Sequence, residues 1–437
     1  MKIALIGQDI PALLPSLLAD VYFACKWPVE LAIEERQDAL GDLLGRYADA
    51  VLRQSGVEGR VLVTASRGEA LRGADAVIYA GDYLAASRFR MDREALLGDE
   101  DDPGLSDQAR VNGGLGGLMH TLRQGELLRQ LCDAMEEACP NAAVVTMGQP
   151  VGRTAAILEK RGHRAWGLGP SPFKGPGGVE DIARRLGRKT LEVNAVTAGL
   201  PGFAFLMELR DQRGKDLLPA ARELAERGEL GRLTQRWLAR WDALAVGSAV
   251  GHAEFLPAQE DFTPEAEPAF GESVERRKER ILRMNTVADK GLSDREGMMA
   301  QMLLLSTAPA ERPMRLLSGL LRGESVTLPA VTRLNRGALP QLPAEIMVEC
   351  PLRLENGKPA DDRFRLSEEA AHLCLDIGEA GLLAAEAALG DASALREYVE
   401  TDPAMEGLDR LYLEEVAVRM ARMHSDILPL YDIESEE

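Results

Sequence analysis

The chain has 437 residues, 46% hydrophobic and 28% charged, with a formal net charge of −19. This balance suits a globular chain of two or three domains, and it excludes attraction to nucleic acid or anionic lipid through a basic face. No apolar run approaches the ~20 residues that cross a bilayer, so no membrane segment is expected.

Strand-like runs come first in chain order: "KIALI", "VELAI" (29–33), "RVLVTA" (60–65), "DAVIYA" (75–80) and "AAVVTM" (142–147). Helical patterns such as "RQDALGDLLGRYADAVLRQ" and "TLRQGELLRQLCDAMEEA" separate them. Strands alternating with helices predict βαβ units and a parallel, Rossmann-like sheet over residues 1–195. No leader is expected, since Lys2 is followed at once by a strand. The stretch 97–117, acidic and rich in glycine, reads as a long surface loop. After residue 195 the alternation fades. Helices then surround two strand candidates, "SVTLPAVTRL" and "EIMVECPLRL", and the chain from Leu366 onward is helical by periodicity. The fold class is therefore α/β, with a mixed, mostly helical α+β domain over 196–437. Cys25, Cys132, Cys139, Cys350 and Cys374, widely spaced and without CxxC, predict free buried thiols in a cytoplasmic setting. The methionines of "GMMAQMLLLS" read as buried helix.

The first strand leads into "GQDIPALL". A dinucleotide-binding turn would read G-x-G-x-x-G so that backbone N–H groups meet a pyrophosphate. Only Gly7 is kept; Asp9 replaces the second glycine. Its carboxylate is expected to cap the following helix and occupy the anion site from within. Glu34, after the second strand, stands where a ribose-binding acid would. "GLGG" (114–117) opens a helix and is a weak anion-site candidate beside a plain loop end.

Further stretches, "ALRGADAVIYAGD", "GLGG…TLRQ", "CPNAAVVTMGQPVG", "AWGLGPSP", "AGLPGFAFLMELR", "GHAEFLP", "LNRGALPQLPAEIMVECP" and "AEAALGD", occur in an order that resembles glycoside hydrolase family 4. "GHAEFLP" is similar to its α-glucosidase and α-galacturonidase branch. The resemblance implies a fold related to lactate and malate dehydrogenases, with NAD and a divalent metal such as manganese as cofactors. It also implies hydride removal at the sugar C3, proton abstraction at C2 by a tyrosine, elimination and hydride return. The family's Cys-His metal pair falls on Gly169 and Pro170, its Asn-His pair on Pro201 and Gly202, and an asparagine on Gln149. No tyrosine lies between Tyr83 and Tyr398. Glycine and proline cannot replace thiolate and imidazole as metal ligands.

His252 and Glu254 remain as candidates for acid–base work or sugar contact, on one face if the segment is extended. Arg123, Gln149, Asn112 and Asn335 are candidate sugar contacts. The reading favours a family 4 relative that has lost the metal-assisted oxidation and elimination, with no cofactor expected. Its partners would be a sugar or sugar acid, a second copy in a dimer or tetramer, and an active paralogue. An active NAD-dependent glycosidase with substituted site residues is the alternative, and a dehydrogenase-like oxidoreductase the next.

Overall fold

The computed structural model describes residues 1–25, 27–82, 84–97, 108–169, 172–257, 273–307 and 311–428. β1 (Lys2–Ile6), α1 (Ile10–Ala24), β2 (Val29–Glu34), α2 (Asp38–Ser55), β3 (Gly59–Thr64), α3 (Arg67–Leu71) and β4 (Ala76–Tyr79) form the first βαβ units. α4 (Ala85–Leu97), α5 (Gly114–Ala138), β5 (Ala143–Thr146), α6 (Val151–Lys160) and β6 (Ala165–Gly167) complete the parallel part. Ile3 and Leu5 enter one core cluster while Ala4 and Ile6 enter another, so β1 is buried on both faces. That is why it reads as an unbroken apolar run. Burying Ile3, Leu5 and Ile6 contributes about 1.5–3 kcal/mol each.

α7 (Val179–Arg185) then leads to the long hairpin β7 (Val193–Leu200) and β8 (Phe203–Asp211). α8 (Leu218–Glu226), α9 (Arg232–Trp241), β9 (Ala245–Val246), α10 (Ala249–Ala253), α11 (Val274–Lys290), α12 (Arg295–Thr307) and α13 (Pro313–Arg322) follow. The chain continues through β10 (Val326–Leu334), β11 (Met347–Glu355), β12 (Lys358–Pro359), α14 (Glu368–Ala388), α15 (Ala392–Thr401) and α16 (Arg410–Met423). One sheet runs through the molecule in the order β3-β2-β1-β4-β5-β6-β10-β11-β7-β8-β9, with β12 on β11. Its pairings are parallel from β3 to β6 and antiparallel beyond. The α/β, Rossmann-type fold is thus as expected, but the second half is richer in strands than its sequence pattern suggests.

The β7–β8 hairpin explains the difference. Leu200 pairs with Phe203, leaving Pro201 and Gly202 as a two-residue turn, with Gly202 at φ +79. Proline followed by a glycine of positive φ is the pattern of a type II turn. Its signal was absorbed into "AGLPGFAFLMELR". Two other expectations also change. Met298, Met299 and Met302 of α12 are 46%, 57% and 61% exposed, not buried. "GLGG" lies in the buried first turn of α5, where a Cβ at Gly116 would stand 2.3 Å from the Arg110 carbonyl oxygen. Close packing on residues 108–112 accounts for these glycines. All five cysteines are free and buried, as expected. Among the described residues no helix is long and apolar enough to cross a membrane.

Candidate functional site

Two places at the carboxyl ends of the parallel strands are candidates for a ligand, one by strand order and one by an observed cavity. The first is the crevice where strand order reverses between β1 and β4, the position at which such sheets take ligands. Gly7 has φ +120, and a Cβ there would come within 2.2 Å of the Ala80 carbonyl oxygen. Only glycine permits this crossing. Asp9 sits at the N-cap of α1, but its side chain makes no capping bond and is exposed; its N–H donates to the Ala80 carbonyl at 3.0 Å. Its φ of −92 and ψ of −2 are helical, which turns the carboxylate away from the following N–H groups. The expected self-capped anion site therefore does not form. Glu34 ends β2 with a nearly buried carboxylate, which accepts from Arg67 at 3.0 Å and from Arg36 at 3.5 Å.

Close to the crevice, at the end of β4, Asp82 lies 2.6 Å from Nε2 of His120 on α5, both buried. Sequence reasoning missed this dyad; the one available signal was an acid placed directly at a strand's carboxyl end.

The second place is a cavity of about 300 Å³, at the lower end of the range for ligand pockets. It is enclosed by the N-terminus of α6 (Val151–Arg153), the Pro201–Gly202 turn, His252 and Phe255, β11 and α14. Gln149 and Asn112 line it as well. Two of the family's altered positions, Gln149 and Gly202, thus lie on its wall. Gly169 is half-buried beside Val151, and Pro170 lies outside the described residues.

The predicted His252–Glu254 pair is not presented as expected. The segment is helical, with Ser248 accepting from the Gly251 N–H as N-cap, so residues two apart diverge. His252 places Nδ1 2.9 Å from the Ser248 carbonyl and Nε2 3.2 Å from the Ala204 carbonyl. Burial pushes its pKa down, which favours the neutral ring. A neutral ring carries one N–H, so it donates to one of these two carbonyls and only packs against the other. Glu254 accepts from the Asn112 backbone N–H at 3.0 Å and from its Nδ2 at 2.5 Å, fixing the cavity-lining loop. Burial outweighs these bonds and raises the Glu254 pKa.

Arg123 is buried and directs Nη1 to Asp92 at 2.9 Å and to Nε2 of His424 at 3.1 Å, not to a ligand. Asn335 is fully buried, and its Nδ2 donates to the Leu339, Leu342 and Pro343 carbonyls, which organise the turn after β10.

Two cavity residues escaped the sequence reading. Arg153 donates to the Thr121 hydroxyl at 3.0 Å and to the Tyr398 hydroxyl at 3.2 Å. Glu349 is the one carboxylate lining the cavity, 3% exposed, and its Oε1 has no hydrogen-bond partner among the described residues. Its signal was present: an acid inside the apolar run "EIMVECPLRL", on the same strand face as Met347.

Residues 2–176 match the model of the family 4 glycosyl hydrolases. No curated protein matches the sequence. Among solved structures, the fold is similar to a 6-phospho-alpha-glucosidase from gut microorganisms in complex with NAD and Mn2+, with TM-score 0.72, 16% identity, and coverage of 98% of this chain and 99% of that one. It is also similar to the 6-phospho-beta glucosidase of Thermotoga maritima with NAD and glucose-6-phosphate, with TM-score 0.68, 15% identity, and coverage of 98% and 100%. The malate dehydrogenase of Plasmodium falciparum matches at TM-score 0.51 and 13% identity, over 89% of this chain and 99% of that one.

The similar 6-phospho-glucosidases correct the expectation that no cofactor takes part, because they were solved with NAD and, in some, manganese. The physical ground for that expectation, Asp9 folding back into the anion site, is also removed. The residues present are compatible with a dinucleotide: Gly7 keeps the turn's path, the Asp9 side chain is exposed, and Glu34 ends β2 with its carboxylate engaged by Arg67. The family's metal fits less well. No group of three or more His, Cys, Asp and Glu side chains is assembled for an ion among the described residues. Residues 2–176 thus match the family 4 glycosyl hydrolases, and the fold over 98% of the chain is similar to that of the 6-phospho-glucosidases.

Proposed function

We propose that the chain binds an anionic sugar, a sugar phosphate or sugar acid, in the 300 Å³ cavity beside a dinucleotide in the β1–β4 crevice. The carrying observation is the cavity's charge. The N-terminus of the ten-residue helix α6, Arg153 and Lys174 all present positive potential to it, against one buried acid. The similar 6-phospho-glucosidases, one of them solved with glucose-6-phosphate, support a sugar ligand. In this reading Gly7 and Glu34 hold the dinucleotide, which when bound supplies a hydride acceptor. Phe255 and Leu200 offer apolar surface to a sugar ring, and Gln149 and Asn112 offer polar contacts.

The inherited metal-assisted elimination is, in the same reading, lost. Gly169, Pro170 and Gly202 cannot ligate through side chains, and the tight Pro201–Gly202 turn fills the Asn-His position. The division at 195/196 into a dinucleotide-type unit and a substrate and oligomerisation unit belongs to this proposal. So does a homo-oligomer formed through the exposed methionines of α12.

Calorimetric titration with glucose 6-phosphate and with galacturonate, each with NAD+ present, tests the binding claim. An aryl-glycoside assay in the presence of NAD+ and Mn2+ tests the chemical one. Saturable sugar binding without turnover is the expected result; rapid turnover would refute the loss of chemistry.

A further inference from the structure

We propose that Glu349 is the ligand-recognising group of the cavity, its carboxyl meeting a hydroxyl or ring oxygen of the bound sugar. This rests on the reading of the cavity as a sugar site and adds the residue that reads the ligand.

Three observations place it there. Glu349 is among the residues that line the cavity and is 3% exposed, so its carboxyl is held away from bulk solvent. Its Oε1 has no hydrogen-bond partner among the described residues, a state that costs stability in a fold which satisfies most of its buried polar atoms. Directly across the sheet, its register partner Thr332 also has an unpartnered buried hydroxyl. On its other side it pairs with Gly199, where no side chain intervenes. Thr197, two residues before Gly199 on the same face, carries a third such hydroxyl. Unmet hydrogen-bonding capacity is therefore concentrated around Glu349.

Burial, with a smaller push from the Glu311 charge, raises the Glu349 pKa to about 8. Near neutral pH the carboxyl is then protonated, able to donate as well as accept, and it does not repel an anionic ligand. The other charged or titratable groups lining the cavity are Arg153, held by Thr121 and Tyr398; Lys174, exposed; and His252, held between two carbonyls. α14 contributes Ile377, Gly378, Gly381 and Leu382 and no charge. A sugar hydroxyl is the ligand group that best matches a carboxyl able to play both hydrogen-bonding roles.

The test titrates glucose 6-phosphate and galacturonate, with NAD+ present, into wild type, Glu349→Gln and Glu349→Leu, at about pH 6.5 and about pH 9. Wild type should bind at the lower pH and weaken at the higher. E349Q, which keeps a donor and an acceptor, should bind within severalfold of wild type with no pH dependence. E349L should lose at least ~10-fold in affinity at the lower pH. Folded E349L binding as tightly as wild type, or E349Q keeping the wild-type pH dependence, overturns the inference while leaving the sugar site standing. Wild type binding neither probe at either pH overturns the sugar reading and the inference together. Carbon-13 NMR of the Glu349 carboxyl in the ligand-free protein gives a check independent of binding. A titration midpoint near 8 supports the assignment, and an ordinary carboxylate midpoint refutes it.

Discussion

Replacing Glu349 with glutamine should make the protein more stable, and by an amount that depends on pH. The free carboxyl titrates at 4.5, whereas burial and the Glu311 charge lift it to about 8 in the folded chain. Between these values the native state holds a proton that the unfolded state has released, so stability falls as pH rises. Each pH unit in that window removes about 1.4 kcal/mol, which comes to about 3 kcal/mol by pH 7. Below the unfolded value both states are protonated and the penalty vanishes; above about 8 it is complete. Glutamine carries no titrating group and nearly the same shape, so E349Q escapes the penalty. Urea denaturation at a series of pH values measures it. The two proteins should be nearly equal at about pH 4.5 and separate steadily until about pH 8. Parallel pH profiles would refute the reasoning. A stability gain on removing this acid also fits a residue kept for its ligand, since functional sites often hold groups that the fold would be better without.

Arg123→Met should destabilise by about 3 kcal/mol in urea, because Asp92, 1% exposed, keeps only His424 at 2.5 Å. Loss of sugar binding without loss of stability would refute this structural assignment. Gly7→Ala should lower the melting temperature, since its Cβ would lie 2.2 Å from the Ala80 carbonyl oxygen; an unchanged melt would contradict the turn geometry. Asp9→Gly removes an exposed, solvent-screened negative charge from the turn after β1 and should tighten NAD+ binding only about twofold, about 0.4 kcal/mol, in calorimetry, without creating glycosidase turnover. Met299→Glu with Met302→Glu should reduce the mass seen in sedimentation, if a second copy covers these 57% and 61% exposed side chains.

The parallel half of the fold was legible because inner strands such as β1 are buried on both faces and helices such as α2 are amphipathic. The β7–β8 hairpin was not. Its strands are long, and the Pro201–Gly202 turn that announces it was taken as part of a motif. Of the candidate residues, Gln149 and Asn112 line the cavity, Gly7 lies at the turn after β1 and Glu34 at the end of β2. Asp9 lies at the same turn as Gly7, but its role depended on a backbone dihedral that composition does not reveal. His252 and Glu254 were misjudged because one turn of helix replaced an extended segment. Arg123 and Asn335 were polar residues whose partners, Asp92 and the Leu339–Pro343 carbonyls, are set by tertiary packing. Glu349 carried a signal, an acid inside an apolar strand, but the hydrogen-bond partner that its Oε1 lacks among the described residues is a tertiary property.

The most direct test of the central claim is calorimetry of the full-length protein with NAD+, followed by glucose 6-phosphate. A dinucleotide crevice beside a sugar cavity predicts NAD+ binding on the order of micromolar, then a second saturable heat from the sugar whose affinity falls at least ~10-fold in Glu349→Leu. No heat from either ligand would contradict it.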